Sequence, residues 1–296
     1  MEQRSRWLNL GLTVLSSSLL IFSAVGCSYA DQGATALDSS PHSLSPQQVE
    51  DFEALVAADV MYLGERHDSA DDHAAQLAII TALHQENPNL AIGMEMFQRP
   101  FQPVLDRYLS GEISEADLIE QSEYETRWGF PWEHYAPILR FAQTHQIPVL
   151  ALNAPAEVTR KVAREGLDSL AGEDLQYIPP ITDIDTSNRD YQNYVKAAFG
   201  AHGSHGNFNF DNFFAAQVVW DETMAMGIAE FRQTHPDTQV VVLAGQGHVV
   251  YGYGIPERVG RRLGEGITQQ IVLLNPAPVV VEGNEGAIAD ILWYSE

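Results

Sequence analysis

The sequence predicts an α/β fold: a mostly parallel sheet covered by helices on both faces, with a helical subdomain or insertion. Two observations carry this. Short, continuous apolar runs recur at 59–64, 90–96, 147–153, 238–244 and 271–275, and segments of helical spacing separate them. The runs lack the in-and-out alternation of a half-exposed sheet, so both sheet faces should be buried. Crossovers between parallel strands are then expected to be right-handed.

The elements follow in order. Ser45 opens a helix running to residue 55, with Pro46 at its first position, where a missing N–H costs nothing. The run 59–64 ends in Gly64 and meets the polar turn Glu65-Arg66-His67, as a buried strand would. Residues 72–86 are helical and 90–96 form the second strand; 110–123 and 133–145 are helical, and 147–153 is a third strand ending at Asn153. Helices are expected at 156–166, 189–198 and 210–234, the last long and amphipathic. The fourth strand, 238–244, runs into Gly245-Gln246-Gly247-His248; a helix begins near Pro256, and 271–275 is the fifth strand. The segment 168–210 mixes loops and short helices and is assigned to an insertion or lid. No solenoid repeat is present, and no Walker or G-x-G-x-x-G loop stands in a suitable context.

The N-terminus has the layout of a signal peptide. Arg4 and Arg6 precede an uncharged stretch to Val25, which ends in Ala24-Val25-Gly26-Cys27. Cys27 is the single cysteine, so no disulfide can form within one chain. Small residues before a cysteine suit the peptidase that cuts ahead of a diacylated Cys. The competing cut follows Ser28-Tyr29-Ala30 and would leave a mature chain without cysteine. The expected organisation is a signal peptide at 1–26, a lipidated Cys27 with a flexible tether at 27–48, and one α/β domain at 49–296 with helical insertions at about 98–146 and 155–235. Such a protein would be lipid-anchored through Cys27 to a bacterial membrane, facing the periplasm or the exterior.

Sixteen Lys and Arg stand against 40 Asp and Glu, a net charge of −24. Nucleic acid is excluded as a partner on this balance, since its phosphates would be repelled. Flat adsorption to anionic lipid is disfavoured for the same reason.

Four strand ends carry polar residues: Glu65 with His67, Glu95, Asn153 and His248. Ligands of open parallel sheets bind beyond the carboxyl ends of the strands, so these residues are expected on one rim. Glu65 and His67 are two apart and share a face while the chain is extended. They could bind a metal, orient a general base, or form an ion-paired turn with Arg66 neutralising Glu65. Glu95 sits in the apolar run Ile92-Gly93-Met94-Glu95-Met96-Phe97, where an unpaired charge is costly. A solvated strand face is the alternative. His248 repeats the G-x-x-H spacing seen at Gly64 to His67. Two imidazoles, His67 and His248, with carboxylates Glu65 and Glu95 would suit a divalent metal. Gln217 and Asp221, four apart on one helix face, point either into the cleft or to solvent. The aromatics Trp128, Phe130, Trp132 and Tyr135, with Phe208, Phe210, Phe213 and Phe214, serve a core or a flat apolar ligand such as a tetrapyrrole. Arg99 or Arg258 could meet the carboxylates of that ligand. His202 and His205 are a solvated loop or an accessory contact.

Taken together, Gly64-Glu65-Arg66-His67, Gly93-Met94-Glu95-Met96-Phe97, 149–153, the stretch from Gln217 through Trp220-Asp221-Glu222-Thr223-Met224-Ala225, and Gly245 to His248 running into Gly254-Ile255-Pro256-Glu257-Arg258 resemble the ChaN-like family. The resemblance covers Ser45 to the C-terminus. These are iron-regulated bacterial lipoproteins implicated in haem uptake, in a wider superfamily with the Tiki, TraB and erythromycin esterase proteins. The resemblance implies haem bound at a homodimer interface, with the iron on a tyrosine and the propionates held by the partner subunit. Tyr135, Tyr251 and Tyr253 are the candidate tyrosines, and Asn153, Gln217, Asp221 and Arg258 are further candidate ligand contacts. Tiki proteins are metal-dependent proteases marked by two G-x-x-H motifs and a Glu; Gly64 to His67, Gly245 to His248 and Glu95 are similar to those positions. Two functions are therefore expected to compete: a membrane-tethered haem carrier, or a metal-dependent hydrolase with Glu65, His67, Glu95 and His248 as its catalytic residues.

Overall fold

A computed structural model describes residues 46–200, 209–277 and 287–295. Six parallel strands lie in the order β3-β2-β4-β1-β5-β6. They are β1 (Val60–Glu65), β2 (Leu90–Gln98), β3 (Val149–Asn153), β4 (Gln239–Gly245), β5 (Gln269–Leu274) and β6 (Ile291–Trp293). The α/β reading of the sequence holds. The short β6 was not foreseen, since three residues carry too little pattern to be distinguished from a loop.

Helices bury both faces. Along β1 the pleat sends Met61 and Leu63 to one side and Val60 and Tyr62 to the other, and all four are buried. On the first side lie α1 (Pro46–Ala57), α2 (Ala70–Glu86), α3 (Gln102–Leu109), α4 (Glu115–Gln121), the short α5 (Tyr124–Arg127) and α6 (Ala136–His145). On the second lie the C-terminal part of α9 (Phe210–Thr234) and α10 (Ile255–Leu263). A third apolar cluster joins α7 (Ala156–Glu165), α8 (Arg189–Gly200) and the N-terminal half of α9. The helix expected over 110–123 is cut short. Gly111 turns the chain at φ 77°, and Ser114 restarts it with a capping box to Asp117.

Strand β3 is an edge, and one side chain covers it. The Gln102 carboxamide donates to the Val149 carbonyl (2.8 Å) and accepts from the Ala151 N–H (2.6 Å), as the peptide of a neighbouring strand would. In the middle of the sheet β2, β4 and β1 are consecutive neighbours. Pairing of β2 with β4 runs to Met94, and the register with β3 shifts between Met94 and Gln98. Glu95 falls in that irregular stretch, so its side chain need not follow the strand's alternation.

Candidate functional site

Three adjacent strand ends bring four residues together. β1 ends on Glu65 and leads to His67, β2 carries Glu95, and β4 ends on Gly245 and leads to His248. The Glu65 carboxylate is buried and saturated with donors. Its Oε1 accepts from Tyr135 Oη (2.5 Å) and pairs with His67 Nδ1 (2.8 Å), while Oε2 accepts from Gln76 Nε2 (2.6 Å). Arg66, a candidate to neutralise Glu65, instead turns to the buried Asp72 at 3.7 Å. Asp72 also accepts from the Arg66 N–H and takes part in the Ser69 cap of α2, which fixes the turn after β1.

His248 lies between two carboxylates. Its Nδ1 is 2.6 Å from Asp221 Oδ1 and its Nε2 is 3.4 Å from Glu95 Oε1. Burial by itself would lower its pKa, but the charges of Glu95 and Asp221 outweigh burial and push it to about 10. Glu95 shows the reciprocal effect. Burial would raise its pKa, while His248, His67 and the Gly245 N–H (2.7 Å) hold it down at about 2. Asp221 Oδ2 accepts from Tyr191 Oη (2.7 Å), and the Gln217 carboxamide lies 3.0 Å from His248 Nδ1. Asn153 donates to the Glu95 carbonyl (2.8 Å), and its own Oδ1 is buried without a partner.

Two glycines make this packing possible. A Cβ on Gly245 would stand 2.8 Å from His67 Nε2, and one on Gly254 would stand 2.1 Å from the His248 carbonyl oxygen. His67 is walled by Trp128 and Phe130, at ring-centroid distances of 4.8 and 5.0 Å. Burial would lower its pKa, but the hydrogen bond to Glu65 and the nearby Glu95 raise it above the ordinary value.

The rim thus unites Glu65, His67, Glu95, Asn153, Gln217, Asp221 and His248. It does so as hydrogen-bonded ion pairs rather than as a metal cage. Among the described residues no three His, Cys, Asp or Glu side chains are grouped to hold a metal ion. Both imidazole Nδ1 atoms and both oxygens of Glu65 are engaged within the protein. The expected divalent metal does not fit this arrangement of the described residues.

Two further expectations are corrected. Tyr135 is fully buried, and burial together with Glu65 raises its phenol far above the ordinary range, so it is a donor to Glu65 and not an exposed ligand. Arg258 is equally buried. It holds the carbonyls of Tyr253 (2.6 Å) and Gly254 (2.9 Å) and shares the buried Glu222 with Arg261 and Arg262. Arg99 pairs with Glu230 at 2.8 Å. Tyr251 and Tyr253 remain partly exposed and stack on each other at 5.3 Å and 28°. Tyr251 has left-handed backbone (φ 55°), and Tyr194 meets its ring edge at 6.0 Å. Burial, with Asp190 and Tyr251 nearby, raises the Tyr253 phenol. Cys27, His202, His205 and Phe208 lie outside the described residues, and no described helix is long and apolar enough to cross a membrane.

Sequence reasoning did not find Gln76 and Tyr191. Gln76 and His73 do carry a signal, being polar residues on the buried face of α2 beside Ala75 and Ile79. Nothing in the sequence marks Tyr191.

Comparison with known proteins places the chain. A curated relative, the chloroplastic RETICULATA-RELATED 5 protein of Arabidopsis thaliana, is 27% identical over 267 residues, covering 82% of this chain and 35% of the relative. The chain therefore spans about a third of that protein's length. The solved structure of ChaN of Campylobacter jejuni, described as binding haem cofacially, superposes with a TM-score of 0.60 at 19% identity, over 77% of this chain and 86% of that one; it shares the fold. An erythromycin esterase variant in its open conformation overlays at 0.46 and 14% identity, over 79% and 74% of the two chains. The family model described as "Haem-binding uptake, Tiki superfamily, ChaN" matches residues 52–259. The chain belongs to this ChaN family of haem-binding uptake proteins.

Proposed function

We propose that the protein binds haem over the Tyr251–Tyr253 face and serves haem or iron uptake from a membrane-tethered position. The observation that carries the reading is the stacked tyrosine pair. Of the three candidate tyrosines, these two keep exposed surface, and they lie just beyond His248. A phenolate oxygen is a hard anionic donor suited to ferric iron, and the neighbouring ring offers a flat apolar surface to a macrocycle. Haem, when bound, supplies the iron chemistry. This chain's residues bind and orient it: Tyr251 or Tyr253 gives the oxygen, and Arg258 anchors the backbone after this pair through the Tyr253 and Gly254 carbonyls.

Anchoring through an acylated Cys27 and pairing of two copies across the haem belong to the same proposal. Titration of the purified chain with haemin tests it. A saturable Soret shift that weakens in Tyr251→Phe or Tyr253→Phe supports the reading. Unchanged binding in the double variant removes this face from it. Labelled palmitate incorporated by the wild type and not by Cys27→Ser tests the tether.

A further inference from the structure

We propose that a pocket between the β3 edge and α9 binds a small monocarboxylic acid with an apolar body, its carboxylate held by Arg99 in place of Glu230. The site is separate from the haem face: neither Tyr251 nor Tyr253 lines it.

The pocket has a volume of about 440 Å³, within the range of small-molecule sites. Arg99, Leu150, Leu152, Tyr177, Glu230 and Phe231 line it, and Arg99 and Glu230 are the only charged residues of the lining. Leu150 and Leu152 lie on the sheet face that α9 covers, and Phe231 packs there from α9 itself. The walls are thus apolar around a single ion pair. The strand edge beside them is already closed. Gln102 takes the Val149 carbonyl and the Ala151 N–H, groups that an added peptide strand would use. A compact molecule suits this place better than an extended chain.

The ion pair is half made. Glu230 Oε2 meets Arg99 Nη2 at 2.8 Å, whereas Arg99 Nε is buried and has no partner among the described residues. Nε and Nη2 share one edge of the guanidinium, the edge that can receive both oxygens of a carboxylate. Glu230 fills one position of it. The Glu230 side chain is 55% exposed, so water screens the pair and little is lost when it opens. A carboxylate entering the pocket can take both donors while Glu230 turns to solvent. The buried Nε then gains the partner it lacks.

Helix α9 gives up a side chain to this arrangement. Gly227 lies inside the 25-residue helix, where glycine is costly. A Cβ there would stand 2.6 Å from Arg99 Nη1 and 3.1 Å from Leu152 Cδ2. The bare backbone seats the guanidinium close against the helix.

Charge and shape narrow the ligand. A net charge of −24, with Glu230 beside the guanidinium, favours one negative charge over the two of a phosphate monoester. The planar fork matches a carboxylate, and the apolar walls select a hydrocarbon or aromatic body.

Isothermal titration calorimetry of the purified full chain with sodium octanoate tests the proposal. Saturable one-site binding is expected, weakened about tenfold or more in Arg99→Gln through loss of charge-assisted hydrogen bonds. Glu230→Gln should tighten binding, because the internal competitor is gone, and a misfolded variant would not gain affinity. Gly227→Ala should weaken binding by crowding Arg99. Acetate lacks the apolar body and 1-octanol lacks the charge, so each should bind at least about tenfold more weakly than octanoate. The Tyr251→Phe/Tyr253→Phe double variant should bind octanoate as the wild type does, so this site and the haem face can fail separately. No saturable binding by the wild type, equal affinity in Arg99→Gln, no gain in Glu230→Gln, or loss of binding in the double tyrosine variant would each overturn the proposal.

Discussion

Nδ1 of His248, after β4, lies 2.6 Å from Oδ1 of Asp221, a fully buried carboxylate on α9. With Glu95 on its other side, His248 joins the second face of the sheet to the rim. Removing the imidazole would strand two buried carboxylates. His248→Ala is expected to cost about 3–5 kcal/mol, because an uncompensated buried charge is far worse than a missing pair. Asp221→Asn should cost less, since His248 keeps Glu95. Urea unfolding of the two variants checks the order.

The same pair sets a pH window. His248 titrates at about 10 in the folded chain against an ordinary 6.5, so its contribution is complete below about 6.5 and is lost as pH rises toward 10. Glu95 sits at about 2 against 4.5, so its contribution is complete above about 4.5 and is lost as pH falls toward 2. Stability from this site should be greatest between roughly 4.5 and 6.5. Thermal unfolding across pH 3–10 measures it, and a stability still rising between pH 7 and 9 would contradict the assignment.

Tyr135→Phe keeps the ring and removes one donor to Glu65 Oε1. The expected cost is about 1–3 kcal/mol, the penalty for under-satisfying a buried acceptor. Haemin affinity should not change, because Tyr135 does not reach the surface. A lost Soret shift in a folded Tyr135→Phe would show the opposite.

Gln102→Ala uncovers the β3 edge. Loss of the Val149 and Ala151 bonds should cost about 1–3 kcal/mol. The freed edge should also promote self-association on concentration, measurable by light scattering.

Much of the rim was legible in the sequence, for a physical reason. A charge that ends an apolar strand is expensive unless something receives it, so Glu65, Glu95 and His248 stood out, and the parallel sheet dictated that they meet. Asp221 and Gln217 were legible only as a shared helix face. Their turn toward His248 depends on how α9 packs, which spacing does not determine. Tyr135 and Arg258 were misread because their residue types suit a ligand, while their use is set by burial. Tyr135 serves Glu65, and Arg258 serves Glu222 and two backbone carbonyls. The break at Gly111 and Ser114 was present in the residue types but was masked by helical spacing on either side.

Haem held on the Tyr251–Tyr253 face is tested most directly by a Soret titration of the wild type beside the Tyr251→Phe/Tyr253→Phe double variant, with Tyr135→Phe as the buried control. A saturable shift is expected in the wild type and in Tyr135→Phe, with loss of the phenolate-ligated spectrum in the double variant. An identical spectrum and affinity in all three proteins would contradict it.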